Sequence, residues 1–452
     1  MRPTACHLFA ALALVAGAAS ASAQPLRPVT DSAAVAATAF VRALERGAWA
    51  DAASHSALSP PAGVAPNALL RTVWTQLVGQ LGALAALEPA APYDRDGRRV
   101  VDLGARFERS EVTLRVVIGD GDKVVGFWVT PPRPPAYEPP AYADMARVRE
   151  VDVTLGAEPA LPGTLTLPRD AAGPFPVAVL VHGSGPDDRD ERVGKNRPFR
   201  DLALGLATRG VAVLRYDKRT YAHPQSLAGR PVTLDAETVD DALAALAVAR
   251  GVRGADPGRV FLVGHSLGAT FAPEIAERDG RVAGVVLLAP GGRPLAAVVA
   301  DQLEGLAARA RATGRATTPF DSARAQLGDL AARRLAPDVP VLGAPAAYWY
   351  DLEDRRPLER ARASRVPLLA VFGGRDYQVT AADAAAWRAA LDGRANATLE
   401  VRPTLNHLLV PGEGPSSPDE YHERPGHVAA GLVARVARWI TEQPGAVASP
   451  NR

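Results

Sequence analysis

Apolar positions change period along this chain, and the changes divide it. Behind a candidate cap at Thr30-Asp31, Val35, Phe40, Val41 and Leu44 fall near helical spacing up to about Arg46. A second helical stretch, Pro66 to Leu87, puts Leu70, Val73, Trp74, Leu77 and Leu81 on one face. The period then drops to two: Val112, Leu114, Val116 and Ile118 alternate, Gly119-Asp120-Gly121-Asp122 turns the chain, and Val124 to Val129 returns. Val100 to Phe107 reads as a third strand. Together these predict a small α+β domain over residues 24–130. Trp49, Trp74 and Trp128 are expected in its core, and His55 on its surface. Pro131 to Tyr142 is proline-rich, with Tyr137 among the prolines and Tyr142 behind them, which predicts a stiff spacer within a linker over 131–148.

From Arg149 the pattern is different. Val151 to Leu155 and Gly163 to Leu167 flank a Gly/Pro turn and predict an antiparallel pair. Strongly apolar runs follow at 176–181, 211–216, 259–263 and 284–288, and further strands are read at 366–372 and 399–402. Helical stretches sit between them at 201–208, 237–250 and 381–391, and a last helix at 427–440 aims Val428, Leu432, Val436 and Trp439 inward. Apolar strands alternating with helices predict a mostly parallel sheet covered on both faces. Residues 294–350, helical and without an evident strand, interrupt the rhythm and read as a cap inserted over a site. The catalytic domain is placed at 149–443 and a flexible tail at 444–452.

Composition changes this picture little. The 452 residues hold 51 Lys and Arg against 49 Asp and Glu, a balance that points to neither a nucleic-acid partner nor a strongly acidic one. The first residues matter more. Arg2 precedes a mostly apolar run, His7 to Ala19, too short to span a bilayer, and Ala21-Ser22-Ala23 fits a small-x-small cleavage site. A signal peptide over 1–23 is expected, hence export to the periplasm or beyond, with Gln24 as the mature start. Cys6, the one cysteine, lies inside that leader, so the mature chain has neither thiol chemistry nor disulfides. No later stretch predicts a membrane span.

The candidate chemistry centres on Gly264-His265-Ser266-Leu267-Gly268, which follows the apolar run 260–263 and precedes a small-residue helix start. This is the G-x-S-x-G turn, with glycines that let strand and helix approach around a strained serine. A serine hydroxyl needs a base, and in this architecture acid and base follow in the order Ser, Asp/Glu, His at later strand ends. Asp376, in Gly373-Gly374-Arg375-Asp376, and His407, in Leu405-Asn406-His407, fit; His422 and His427 are the rival bases. For the oxyanion, one donor is expected at the N–H of Leu267. A second is expected from the loop Val181-His182-Gly183-Ser184-Gly185-Pro186, at Ser184 with Gly183 or Gly185 as alternatives. His182 reads as a structural part of that loop. Asp187-Asp188-Arg189-Asp190 and Arg215-Tyr216-Asp217-Lys218-Arg219 are either a substrate-contacting rim or, the preferred reading, ion pairs tying two loops together. No metal site is expected from these aspartates.

These motifs together, with Gly374-Arg375-Asp376-Tyr377-Gln378-Val379 and Leu405-Asn406-His407-Leu408, resemble the α/β-hydrolase superfamily over about 150–442, in its bacterial serine-esterase, dienelactone-hydrolase-like branch. Dienelactone hydrolases proper use cysteine where this chain has Ser266. The resemblance implies Ser266 as nucleophile, Asp376 as acid and His407 as base. The expected function is an exported serine hydrolase acting on small-molecule carboxylic esters through an acyl-enzyme, with no cofactor. A peptidase or thioesterase with the same triad, and a non-catalytic binding protein on this scaffold, are the alternatives. Oligomeric state is not readable.

Overall fold

In the computed structural model of the chain, the described residues run from 31 to 445, apart from 59–62, 89–91, 96–97, 109–110, 131–136, 157–158, 170–172, 228–229, 313, 315–316 and 424. The predicted leader and most of the predicted tail lie outside them. The described residues form two compact units, divided between residues 136 and 137.

In the first unit, helix Ser32–Glu45 begins where the Asp31 carboxylate accepts the Ala33 N–H at 2.9 Å. Strands Leu84–Glu88, Arg98–Phe107, Glu111–Ile118 and Val124–Thr130 lie side by side, antiparallel, and Tyr93–Arg95 pairs with the start of the second. Phe40, Val41, Leu44 and Trp74 pack on Leu103, Leu114 and Val116. The helix from Pro66 ends at Leu81, short of the predicted Leu87, because Gly82 turns the backbone to φ 86°. Residues 84–88 are an edge strand instead. A short helix, Trp49–Ser54, was not expected. Trp128 is no core residue: it is 53% exposed. Its ring lies over Gly126 two residues earlier on the same strand face, where a Cβ would sit 2.1 Å from the indole.

The second unit carries the sheet. Its strands are β1 (Val148–Leu155), β2 (Leu161–Pro168), β3 (Phe175–Val181), β4 (Ala212–Tyr216), β5 (Ala255–His265), β6 (Gly284–Leu288), β7 (Leu368–Gly373) and β8 (Ala397–Arg402). They lie in the order β1-β2-β4-β3-β5-β6-β7-β8, parallel from β4 to β8 and antiparallel at β1 and β2. The strongly apolar runs follow from burial on two sides. In β3, Val177, Val179 and Val181 enter one core while Ala178 and Leu180 enter the other. Each such valine or leucine contributes roughly 1.5–3 kcal/mol by leaving water. Helices α1 (Pro198–Ala207) and α5 (Ala430–Glu442) cover one face; α2 (Asp240–Arg250), α3 (Leu267–Asp279) and α4 (Ala381–Leu391) cover the other.

The insertion between β6 and β7 is helical as expected, but it holds a two-residue ladder, Pro340–Val341 against Ala344–Pro345, that its sequence did not show. Around this ladder lie helices Leu295–Ala312, Thr318–Ala331 and Ala346–Asp354. Leu327, Leu330, Val341 and Trp349 give them a small core of their own. The described part of the proline-rich segment differs from a free spacer. The Tyr137 hydroxyl donates to Asp201 on α1 at 2.6 Å and the Arg200 guanidinium lies 4.5 Å over its ring. An aromatic ring with a buried carboxylate for its hydroxyl docks the segment where proline stiffness alone would leave it apart.

Candidate active site

Strand β5 delivers Ser266 at its carboxyl end, and α3 starts at the next residue. Ser266 takes φ 50°, ψ −114°, a conformation that costs an L-residue on the order of 1–3 kcal/mol. The flanking glycines are required by contact. A Cβ on Gly264 would lie 2.4 Å from the Gly268 carbonyl, and one on Gly268 would lie 2.3 Å from the Val181 carbonyl and 2.5 Å from that of His182. The Ser266 N–H is tied to Leu288 O on β6 at 2.9 Å, which fixes the turn from below. Leu267, first residue of α3, has an N–H without an intrahelical partner, at the positive end of the helix dipole.

Loops after β7 and β8 bring Asp376 and His407 together. A Cβ on Gly373 would lie 2.4 Å from Leu405 O, so these loops run backbone to backbone. Arg375 N–H donates to Leu405 O at 2.9 Å. His407 Nδ1 lies 2.7 Å from Asp376 Oδ2, with both side chains buried. Asp376 Oδ1 accepts the N–H groups of Gln378 at 2.8 Å and Val379 at 2.9 Å. A carboxylate so held accepts a hydrogen bond from the Nδ1–H of His407, which keeps the proton on that nitrogen and leaves Nε2 with its lone pair. Of the rival bases, His427 is engaged with Asp201 on α1, Nδ1 to Oδ1 at 3.1 Å, and the His422 side chain lies outside the described residues.

The loop after β3 lies against the serine: a Cβ on Gly183 would be 3.3 Å from Ser266 Cβ. Ser184 lines a cavity of about 320 Å³ together with Ser266, Leu267 and the insertion residues Leu295, Val298 and Leu352. Gly183 differs from expectation. Its N–H donates to Glu191 Oε1 at 2.7 Å, so it is not free for an oxyanion. His182 is a loop residue, with Nε2–H donating to Asp188 O at 3.1 Å; burial pushes its pKa down to about 4 and keeps it neutral.

Beneath the turn lies a pair the sequence did not reveal. Glu191 Oε2 is 3.0 Å from His265 Nδ1, in contact but off the line of a good hydrogen bond, and both side chains are buried. His265 Nε2–H donates to His407 O at 2.9 Å. Burial alone would lower the His265 pKa, yet the Glu191 charge beside it wins and raises it to about 9; Glu191 in turn is held below its ordinary value, against the effect of burial, by the His265 charge. The pair is therefore ionised and bridges the β3 loop, the serine turn and the His407 loop. The stability it brings through His265 is fully present below pH about 6.5, the ordinary value, and is lost as pH rises through about 9. The urea midpoint is expected to fall across that window, and Glu191→Gln to flatten the fall. A Glu191→Gln profile parallel to the parent's would show that His265 is not held charged.

The two charged clusters form the network preferred from sequence. Arg189 grips Asp217 through Nε and Nη2, each at 2.9 Å, and Arg215 pairs with Asp190 and Glu150.

A serine at a strained strand-to-helix turn on the carboxyl edge of a mostly parallel, doubly covered sheet defines an α/β-hydrolase. The alpha/beta hydrolase family model matches residues 178–437. The chain is 38% identical over 373 residues to esterase EstD of Thermotoga maritima, covering 82% of this chain and 87% of that protein. Among solved structures, it is similar to Est1E from Butyrivibrio proteoclasticus bound to ferulic acid (16% identity, 64% of this chain and 98% of that one, TM-score 0.44). It is also similar to the Pyrococcus furiosus esterase Pf2001 (16% identity, 66% and 94%, TM-score 0.40). The chain belongs to the alpha/beta hydrolase family.

Proposed function

We propose that this protein is a carboxylesterase-type serine hydrolase acting on small-molecule esters. Ser266 Oγ attacks the ester carbonyl while His407 Nε2 takes its proton. Asp376 holds the imidazole in the required tautomer and stabilises its cation. The N–H groups of Leu267 and Ser184 receive the oxyanion. His407 then protonates the departing alkoxide, and water, activated by the same imidazole, releases the acid. The observation that carries this reading is the 2.7 Å contact of His407 Nδ1 with buried Asp376, on loops that follow the strained serine in the order Ser, Asp, His. The likeness to EstD, an esterase by name, supports the choice of ester over amide. The apolar share of the cavity wall, from Leu295, Val298 and Leu352, suits an uncharged acyl or alcohol group.

A matched panel of p-nitrophenyl ester, thioester and anilide tests the leaving-group class. Ester turnover is expected to exceed anilide turnover by orders of magnitude, and preference for the anilide or thioester would replace the esterase reading. Export is proposed from the leader pattern at Ala21-Ser22-Ala23. Among the described residues no helix is long and apolar enough to cross a membrane. Mass spectrometry of the exported chain is expected to find Gln24 at its N-terminus. A chain that keeps Met1 and stays in the cytosol would rule export out.

A further inference from the structure

One buried ammonium group lies against the loop after β3 without entering the reaction above. Lys218 follows β4, and its side chain is 2% exposed. Its backbone N–H donates to Asp187 O at 3.0 Å, and its Nζ donates to Gly183 O at 2.8 Å. Nζ also lies 2.7 Å from Glu237 Oε1, on the turn that precedes α2. The other oxygen of Glu237 accepts the hydroxyl of Tyr348, which stands on the insertion helix Ala346–Asp354. Burial first, and then the Glu237 charge, raise the Tyr348 pKa far above its ordinary value, so the phenol stays a donor. The row Tyr348, Glu237, Lys218 thus runs from the insertion to one carbonyl oxygen.

That carbonyl belongs to the Gly183–Ser184 peptide. The peptide is planar and trans, so its C=O and the Ser184 N–H point in opposite directions. The preceding peptide is held as well, because the Gly183 N–H is bound by Glu191. Both planes that meet at the Gly183 Cα are therefore fixed by a buried charged group, one negative and one positive. This matters at glycine, where an unheld backbone has the widest range of rotation. An ordinary carbonyl would be served by a neutral donor. A charge-assisted bond, itself braced by a carboxylate and a phenol, resists rotation of that peptide more strongly.

We propose that Lys218, braced by Glu237 and Tyr348, is a positioning residue for the oxyanion hole: by gripping Gly183 O it aims the Ser184 N–H into the cavity where charge develops on the ester oxygen. Lys218 does not touch substrate. It acts through one peptide, so its effect is on the transition state and not on substrate binding. The proposal rests on the reading of Ser184 N–H as the second oxyanion donor. It also makes the insertion part of the catalytic support, since Tyr348 braces the row from there.

The test compares an ester substrate with a trifluoromethyl ketone of matched acyl group. With the ketone, Ser266 Oγ adds to the carbonyl carbon, its proton passes to His407, and the former carbonyl oxygen carries the negative charge, so inhibitor affinity reads the oxyanion site directly. Lys218→Met alone would strand the Glu237 charge, so the double variant Lys218→Met/Glu237→Gln is used, with Tyr348→Phe as a milder change that keeps the ring. The double variant is expected to lose about 10²-fold in kcat, the size of one oxyanion donor's contribution. Its KM should stay within about twofold, and the ketone Ki should rise in step with the fall in kcat/KM. Tyr348→Phe should show the same pattern at severalfold, and it decides the matter if the double variant does not fold. Unchanged kcat/KM and ketone Ki in the folded variants would overturn the inference, as would a loss confined to KM. Failure here is separable from failure of the esterase reading: an active Ser266→Ala enzyme removes that reading, whereas an inactive Ser266→Ala beside undiminished Lys218 and Tyr348 variants removes this inference alone.

Discussion

Ser266→Ala is expected to lower kcat/KM for a p-nitrophenyl ester by on the order of 10⁴- to 10⁶-fold and to abolish covalent labelling by a fluorophosphonate. The acyl-enzyme cannot form without the hydroxyl. What remains is binding and the two backbone donors, which by themselves still polarise a carbonyl for attack by water. The substitution separates chemistry from folding unusually well. Alanine keeps the Cβ, so the backbone at φ 50°, ψ −114° is no more strained than before, and the tie from residue 266 N–H to Leu288 O is unaffected. The thermal midpoint should therefore stay close to that of the parent. A well-folded Ser266→Ala protein that still turns over ester and takes up the probe would place the nucleophile elsewhere.

Asp376→Asn is expected to cost on the order of 10⁴-fold in kcat, by fixing the wrong tautomer of His407. The argument follows from the two oxygens of Asp376. Oδ1 accepts two backbone N–H groups, from Gln378 and Val379, and Oδ2 faces His407 Nδ1. An asparagine in the same place must put its carbonyl oxygen toward the two N–H donors, because its amide group has no lone pair to offer them. Its NH₂ group then faces Nδ1, which has to accept. The imidazole proton moves to Nε2, and the nitrogen that should take the serine proton already carries one. Stability should change little, since the two backbone bonds are kept and the bond to His407 is remade with reversed polarity. Single-turnover acylation measured beside a melting curve checks both halves. Near-parent kcat in Asp376→Asn would mean that the carboxylate does not set the tautomer.

The sheet was legible because its strands are covered on both sides, which leaves apolar runs with no polar alternation to confuse them. Val177 through Val181 and Val285 through Leu288 could hardly be anything else. Ser266 and Asp376 were legible as candidates because each lies close to glycines at a strand end, where bulk is excluded, and His407 because it follows the next strand in the order Ser, Asp, His. The supports of the site were not. Glu191, Glu237 and Tyr348 have their partners far along the chain: Tyr348 meets Glu237 across 111 positions. A lone Glu or Lys in a loop reads as a solvated charge until its partner is seen. The Gly183 N–H is occupied by a nearer group, the Glu191 carboxylate, and nothing in the sequence marks a loop glutamate that folds back on its own loop. In the first unit, the leucines of the edge strand Leu84–Glu88 continue the helical spacing past Gly82, and only that glycine marks where the helix stops.

The insertion's private core has a consequence for how such a chain can change over time. Leu327, Leu330, Val341 and Trp349 pack among themselves, and Leu295 and Tyr348 are the partly buried residues that touch both this cluster and the core of the sheet. Substitutions inside the insertion therefore disturb a small, separate packing problem. The cavity wall they reshape can drift toward other esters while the strands that carry Ser266, Asp376 and His407 keep their cores intact. Leu295 and Tyr348 are where that freedom should end. A repertoire of substrates can accumulate on one catalytic sheet without each new one having to solve the folding problem again.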